Sequence, residues 1–278
     1  MKITVIIPSR VRVRGLGAVL YSLRYLESGE NQVTYCVACD DDDVGTVVFC
    51  QELKELMPLA IRIGERQETM GAAINDVAKF LPADVYCVIN DDILITSVDW
   101  DKAIAKGVNE TPHGVFFWKN AVPMDALYPI VTEKWREAAG GIFSEHYPFW
   151  YDDLCLVELW AMATEQDVLR LDIYIVDKPV KTQRMRDLKF WQSVYTKTRN
   201  ARVIQSIDIA YKLGLPKPTI GPALADGLTK ALVAMNDEYL AQIEINQGEP
   251  TPPDNAYLRA KDRAQSMLES IDQMEKAA

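Results

Sequence analysis

The chain has 278 residues, enough to bury a sizeable core as one large domain or as one domain with an appendage. Its formal net charge of -10 argues against a general nucleic-acid binder, which needs a basic footprint to release counterions, but leaves room for a local basic pocket. The five cysteines stand mostly inside apolar runs, as reduced thiols of a cytoplasmic protein do, and two histidines are too few for a histidine-rich metal site. No apolar run has the length of a bilayer span, and the N-terminus enters a strand without a signal peptide.

In chain order, Lys2 to Pro8 reads as a buried strand and Leu16 to Leu26 as a helix with apolar residues at helical spacing. Val33 to Cys39 is a second strand that runs into Asp40-Asp41-Asp42-Asp43. Cys36 and Cys39 lie within it, so their C-x-x-C spacing lacks the context of a metal or redox motif. A helix over Val44 to Met57 stops at Pro58, and Leu59 to Ile63 is a third strand. Thr69 to Leu81 is a helix, Val85 to Ile89 a fourth strand, Val98 to Val108 a helix and Gly114 to Trp118 a strand. This alternation predicts an α/β fold, a mostly parallel sheet flanked by helices.

Beyond Trp118 the pattern loosens. Lys119 to Pro129 reads as a loop, Thr132 to Ala139 as a short helix and Gly140 to Tyr151 as an aromatic-rich loop. Asp152 to Gln166 reads as a helix, Leu171 to Val176 as a late strand and Lys178 to Arg186 as a basic cluster. Leu188 to Leu213 and Leu224 to Ile245 read as long helices, a proline-rich linker covers 247–253, and Ala256 to Lys276 is a final helix. The proline punctuation after residue 215 sets off residues 215–278 as a helical C-terminal extension of a catalytic domain over 1–214. Packing or self-association into a homo-oligomer is the role expected of its helices.

Four groups fall where a doubly wound sheet gathers its ligands. Val85-Tyr86-Cys87-Val88-Ile89 stops abruptly at Asn90-Asp91-Asp92, and two carboxylates there suit a hard divalent cation held against phosphate oxygens. Arg10, Arg12 and Arg14 follow the first strand beside a helix start, which suits a diphosphate. A carboxylate among Asp40 to Asp43 suits a nucleobase or ribose, although at least two of these four are expected to be hydrated loop residues. Gly71 and Asn75 share one helix face, and a glycine there points to a close approach by backbone or ligand. Further on, Phe149-Trp150-Tyr151 lead into Asp152 and Asp153, as a sugar-binding wall beside a general base would, or as an ordinary N-cap and first helical turn would.

Taken together these segments resemble the nucleotide-sugar glycosyltransferases of the GT-A fold, especially the inverting family 2. Ile3-Thr4-Val5-Ile6-Ile7-Pro8-Ser9-Arg10-Val11-Arg12 is similar to the family's opening strand and its P-T-R-x-R turn. Gly71 and Asn75 match the G-x-x-x-N helix, Val88-Ile89-Asn90-Asp91-Asp92 the D-x-D strand end, and Asp152-Asp153-Leu154 the acidic helix start. Asn90 departs from the pattern by replacing the first acid, and Asp152 by replacing the usual Glu. No downstream histidine offers the additional metal or diphosphate contact of some members, and Arg184 or Arg186 is the expected substitute.

The resemblance implies transfer of a sugar from a nucleoside diphosphate donor to an acceptor hydroxyl, with inversion. It implies Asp92 as the ligand of Mn²⁺ or Mg²⁺ with Asp91 in support, Arg10 and Arg12 on the phosphates, and Asp40 on the nucleobase or ribose. Gly71 and Asn75 then belong to the donor site, Asp153 or Asp152 is the base, and Trp118, Trp150 and Tyr151 are candidates to stack on sugar rings. The acceptor stays open among glycan, protein and modified nucleobase. Two other readings compete: a nucleotidyltransferase that makes the nucleotide sugar, faintly suggested by Val13-Arg14-Gly15-Leu16-Gly17, and a non-catalytic nucleotide-sugar binding protein with a degenerate metal motif.

Overall fold

The computed structural model describes residues 1–120, 128–147, 151–177, 187–219, 225–234 and 254–277. They form two compact units, one of Met1–Arg66, Ala73–Ile142 and Asp167–Val180, the other of Gln67–Ala72, Phe143–Gln166 and Lys181–Ala278. The described residues after 214 group with the second unit.

The first unit is built on an eight-stranded sheet. Its elements are β1 (Lys2–Pro8), α1 (Val13–Leu26), β2 (Gln32–Asp40), α2 (Val44–Leu53), β3 (Leu59–Gly64), β4 (Val85–Val88), β5 (Ile93–Ile95), α4 (Trp100–Glu110), β6 (Val115–Asn120), β7 (Pro129–Thr132), α5 (Glu133–Ala139) and β8 (Leu169–Asp177); α3 (Met70–Phe80) starts in the second unit and ends in the first. The strand order is β3-β2-β1-β4-β7-β6-β8-β5. The half containing β3, β2, β1 and β4 is parallel throughout, as the alternating pattern predicts. The other half is mixed: β7 is antiparallel to β4 and β6, β8 is parallel to β6, and β5 closes the edge antiparallel to β8.

Burial explains the strand sequences. Ile3, Val5, Ile6 and Ile7 of β1 and all four residues of β4 are buried, so both read as continuous apolar runs. On α1, Leu16, Val19, Leu20 and Leu23 form the buried stripe. Asp101, wholly buried on α4, accepts hydrogen bonds from the Ser28 amide (2.7 Å), the Ser28 hydroxyl (2.6 Å) and Asn31 (2.9 Å), and so fastens the turn between α1 and β2.

Strands β5 and β7 are not foreseen from the sequence. They have three and four residues, too few for a period to register, and β7 opens on a proline. The expected loop from Lys119 to Pro129 instead ends β6 and begins β7, and residues 121–127 lie outside the described residues.

The second unit is helical: α6 (Asp152–Thr164), α7 (Leu188–Lys197), α8 (Arg199–Lys212), α9 (225–234) and α10 (Asn255–Ala277). The single helix expected over Leu188 to Leu213 is broken at Thr198. Its hydroxyl donates to the carbonyls of Val194 (2.7 Å) and Tyr195 (3.2 Å), a local bond that competes with helix continuation. Helix α6 is buried almost all round, with Leu154, Cys155, Leu156, Leu159, Trp160 and Met162 in the interior. Inside, Glu158 pairs with Arg202 of α8 and accepts the Thr229 hydroxyl of α9, while the Arg202 guanidinium lies 3.9 Å from the centroid of the Tyr195 ring. Helix α10 docks on α7 through Tyr257, whose hydroxyl accepts Trp191 Nε1–H at 3.1 Å, and Arg259 and Arg263 reach Glu68. Among the described residues no helix is long and apolar enough to cross a membrane.

Candidate active site at the ends of the parallel strands

Strands β1, β2 and β4 run in register, with Pro8 opposite Ala38 and Ile6 opposite Val88, so the residues that follow them emerge at one sheet edge. The chain leaves β1 toward β2 on one side, and β4 joins on the other. That reversal is a switch point, where open α/β sheets bind ligands.

Between β1 and α1 the chain makes an unusual turn. Val11 is 75% exposed and has φ 57°, a backbone region that costs a β-branched residue energy. Its amide donates to Asp43 Oδ2 at 2.7 Å, and Asp43 also caps α2 by accepting the Thr46 amide at 3.2 Å. Burial works against ionisation of Asp43, but these bonds outweigh it and hold the carboxyl below its ordinary range. The turn sends the flanking arginines in different directions. Arg10 donates to Asp40 at 2.9 Å and, through both terminal nitrogens, to Asp42, at 2.8 Å for Nη2. The Arg10 hydrogen bond pushes the Asp42 carboxyl down. Arg12 Nη1 instead reaches Asp91 Oδ1 at 3.0 Å and Asp92 Oδ2 at 2.9 Å. Of the four acids from 40 to 43, Asp41 and Asp42 are exposed, as expected of a hydrated loop.

Two neighbours that the sequence does not single out as site residues complete this edge. The Ser9 hydroxyl donates to Asp91 Oδ2 at 2.7 Å in a buried bond, so both oxygens of Asp91 are engaged. Gly15 lies where a Cβ would stand 2.4 Å from the Asp91 carbonyl oxygen, so only glycine lets α1 sit this close to the end of β4. Gly15 has a signal in the sequence, a glycine one turn after the arginines at a helix start. Ser9 has none beyond its place after the strand. Gly15 and Gly17 are inside α1, so the glycine-rich loop of a nucleotidyltransferase is not formed there.

Asp91 and Asp92 offer a donor set that fits a shared divalent cation. Two carboxylates converge on one point, and a cationic nitrogen stands at that point. Oxygen ligands suit Mg²⁺ or Mn²⁺, and two carboxylates with substrate phosphates are a usual complement for such ions. Among the described residues no group of three or more His, Cys, Asp or Glu side chains forms a cation cage. The residues therefore fit an ion shared with a diphosphate better than one held by protein alone.

Gly71 and Asn75 serve packing that the structure makes explicit. A Cβ on Gly71 would meet the Ser144 carbonyl oxygen at 2.7 Å. Asn75 is buried and its Oδ1 accepts the Ile142 amide at 2.7 Å, while a side chain on Gly141 would strike its amide group at 2.9 Å.

In the second unit, Asp152 and Asp153 open α6. Asp152 is the first helical residue rather than the expected N-cap, a place taken by Tyr151 at φ 72°. Asp152 is buried; its Oδ1 accepts the Asp153 amide at 2.9 Å, and its Oδ2 is buried without a hydrogen-bond partner. Burial, then the neighbouring Asp153 charge, pushes the Asp152 carboxyl well above its ordinary range. Asp153 is partly buried and accepts the Leu154 amide at 2.8 Å; burial pushes its carboxyl up to about 6.

Other candidates are used up in the core. Trp118 is fully buried 6.0 Å from Trp100, and Tyr151 is buried in a stack on Tyr195 with ring centroids 5.0 Å apart, so neither presents a face to a sugar. Glu158, a third carboxylate on α6, is locked to Arg202 and Thr229. Phe149, Trp150 and the basic cluster of Lys178, Lys181, Arg184 and Arg186 lie outside the described residues. All five cysteines are buried free thiols, and burial pushes Cys36 up to about 12.

No family model matches the sequence, and no curated protein matches it. Solved structures do match the fold. Residues 1-349 of S. aureus TarS in complex with UDP-GlcNAc superpose with a TM-score of 0.60 at 15% identity, covering 86% of this chain and 73% of that one. The same protein in complex with UDP gives 0.59 at 14% identity over 86% and 72%. The mannosyltransferase PcManGT from Pyrobaculum calidifontis, in complex with GDP-Man and Mn²⁺, gives 0.56 at 15% identity over 98% and 82%. At such identities the likeness is one of fold: the chain has the α/β architecture of GT-A-like glycosyltransferases.

Proposed function

We propose that the chain is a glycosyltransferase that takes a sugar from a nucleoside diphosphate donor and transfers it, with inversion, to an acceptor hydroxyl. The observation that carries this reading is that Arg10 with Asp40, and Arg12 with Asp91 and Asp92, stand at one sheet edge, at the ends of β1, β2 and β4. Cationic and acidic groups alternate there, as a nucleotide with two phosphates and a bridging cation requires. The fold likeness to proteins solved with UDP, UDP-GlcNAc and GDP-Man with Mn²⁺ supports the same class of donor.

In this reading Asp92 contributes oxygen to Mn²⁺ or Mg²⁺, and Asp91, oriented by Ser9, supports it. The cation, when bound, neutralises charge on the leaving diphosphate. Arg10 and Arg12 orient the phosphates, Asp40 the ribose or base, and Gly71 and Asn75 hold the backbone around the donor site. Asp153 is the base that takes the acceptor's proton, and a carboxyl near 6 is well matched to neutral pH. Asp152, buried and with one carboxyl oxygen lacking a hydrogen-bond partner, takes a supporting role beside it. The C-terminal stretch 215–278 is assigned to packing or self-association. The acceptor is a glycan, a protein or a modified nucleobase.

Titration calorimetry with UDP and GDP, each with and without Mn²⁺, tests the central claim. Wild type should bind one of them with Mn²⁺ present, and Asp92→Ala should lose that binding by about a hundredfold while keeping its circular dichroism. Equal affinity in the variant would remove Asp92 from the site.

A further inference from the structure

We infer that Arg12 is a built-in counter-cation that competes with the metal for Asp91 and Asp92, so that metal and diphosphate bind cooperatively. The inference rests on the metal-dependent donor site proposed above and adds to it a second position and a second task for Arg12.

Adjacent carboxylates at a strand end repel one another, and a neighbouring cation relieves that cost. A single nitrogen, Nη1 of Arg12, lies within 3.0 Å of Asp91 Oδ1 and 2.9 Å of Asp92 Oδ2. A divalent ion held by Asp92 with Asp91 in support would compete with that nitrogen for the same carboxylates. Asp91 cannot turn away freely, because its other oxygen is held by Ser9 and its backbone is pressed by α1 at Gly15. Arg12 can. Its side chain is 23% exposed, against 5% for Asp91 and 13% for Asp92, and it hangs from the turn beyond Val11. Arg12 is also the N-cap of α1 and makes no side-chain capping bond that would tether it.

The consequence is a linkage between two ligands. A metal ion arriving alone must displace a charge-assisted ion pair and leave the guanidinium without a partner. A metal ion arriving with a diphosphate offers Arg12 new oxygens, which accept the same fork of donors. Each ligand therefore raises the affinity for the other, and by thermodynamic reciprocity the factor is the same in both directions. In the ligand-free protein Arg12 also neutralises the carboxylates and discourages capture of a free cation.

The test measures Mn²⁺ binding by electron paramagnetic resonance of the free ion, without nucleotide and with saturating UDP or GDP, in wild type, Arg12→Ala and Arg12→Gln. Calorimetry follows nucleotide binding in parallel, and thermal melting confirms that each variant is folded. Wild type should bind Mn²⁺ weakly alone and at least tenfold more tightly with nucleotide. Both variants should bind Mn²⁺ alone more tightly than wild type, by about tenfold, yet bind nucleotide more weakly in the presence of Mn²⁺. These opposite shifts are what a merely structural or phosphate-binding arginine does not produce. Mn²⁺ affinity that is unchanged or reduced in both variants, with metal-dependent nucleotide binding intact in wild type, overturns the inference and spares the proposed function. No Mn²⁺ uptake by wild type even with nucleotide overturns both.

Discussion

The chain uses the dipeptide Asp-Asp in two settings that differ in what balances the charge. Asp91 and Asp92 follow a buried strand, and a guanidinium and a hydroxyl meet them within 3.0 Å. Asp152 and Asp153 open a buried helix where their carboxylates accept backbone amides, and burial drives both carboxyls upward. Helix N-termini favour anions by well under the cost of desolvating a carboxylate, so burial wins at α6. The same two residues thus make a cation-binding pair in one place and a proton-binding pair in the other.

The largest effect is expected from removing the proton-binding group on α6. Asp153→Asn should cut transfer by about a hundredfold or more, the scale of general-base loss, with donor affinity preserved. In wild type the transfer rate should rise as pH passes about 6 and level off above it, and the variant should lack that limb. Steady-state rates across pH, with donor affinity measured beside them, decide this; an active Asp153→Asn places the base elsewhere.

A smaller effect is expected at the other pair. Gly15→Ala forces a methyl against the Asp91 carbonyl, which must shift α1 or the strand end. Overpacking of this kind costs about 1–3 kcal/mol, so chemical denaturation should show that loss together with weaker metal-dependent nucleotide binding. A fully stable variant with wild-type affinity would show that the close approach is not needed to hold Asp91.

The smallest effect has the opposite sign. For a carboxyl raised in the folded state, the native protein holds its proton more tightly than the unfolded chain does. Stability is then favoured below the ordinary value of 3.8 and lost as pH rises toward the folded value, about 6 for Asp153. The Asp152 carboxyl is raised as well, so its penalty also grows as pH rises above the ordinary value. Asp152→Asn removes that share, and the variant should be more stable than wild type at pH 8, with the difference shrinking toward pH 4. Melting temperatures at the two pH values measure it. A variant less stable at pH 8 would mean that Asp152 is charged and partnered in the folded protein.

Much of this comparison is legible in the amino-acid sequence alone. The run Val85 to Ile89 broken by Asn90-Asp91-Asp92 marks a buried strand with acids at its end, because a strand covered on both faces admits no polar residue until it leaves the sheet. Likewise the stripe of Leu16, Val19, Leu20 and Leu23 dictates α1 by itself. Local periodicity reports which faces are buried, and that suffices for the parallel half of the sheet and for the order of the candidate site residues.

The pairing of these groups is set by how the chain folds. Arg12 and Asp92 stand 80 positions apart, and nothing local says that Arg12 and not Arg10 reaches the acids after β4. That choice depends on the turn at Val11 and on the register of β1 with β4. Strand pairing likewise decided that the second half of the sheet is mixed, through strands too short to show a period. Burial decided that Trp118 and Tyr151 are core residues and that Glu158 is locked to Arg202, since an aromatic or acidic residue has the same sequence signature on a surface as inside. A carboxyl's charge is set by the distance to its nearest cation and by the water it keeps, and neither quantity is a property of the neighbouring residues in the chain.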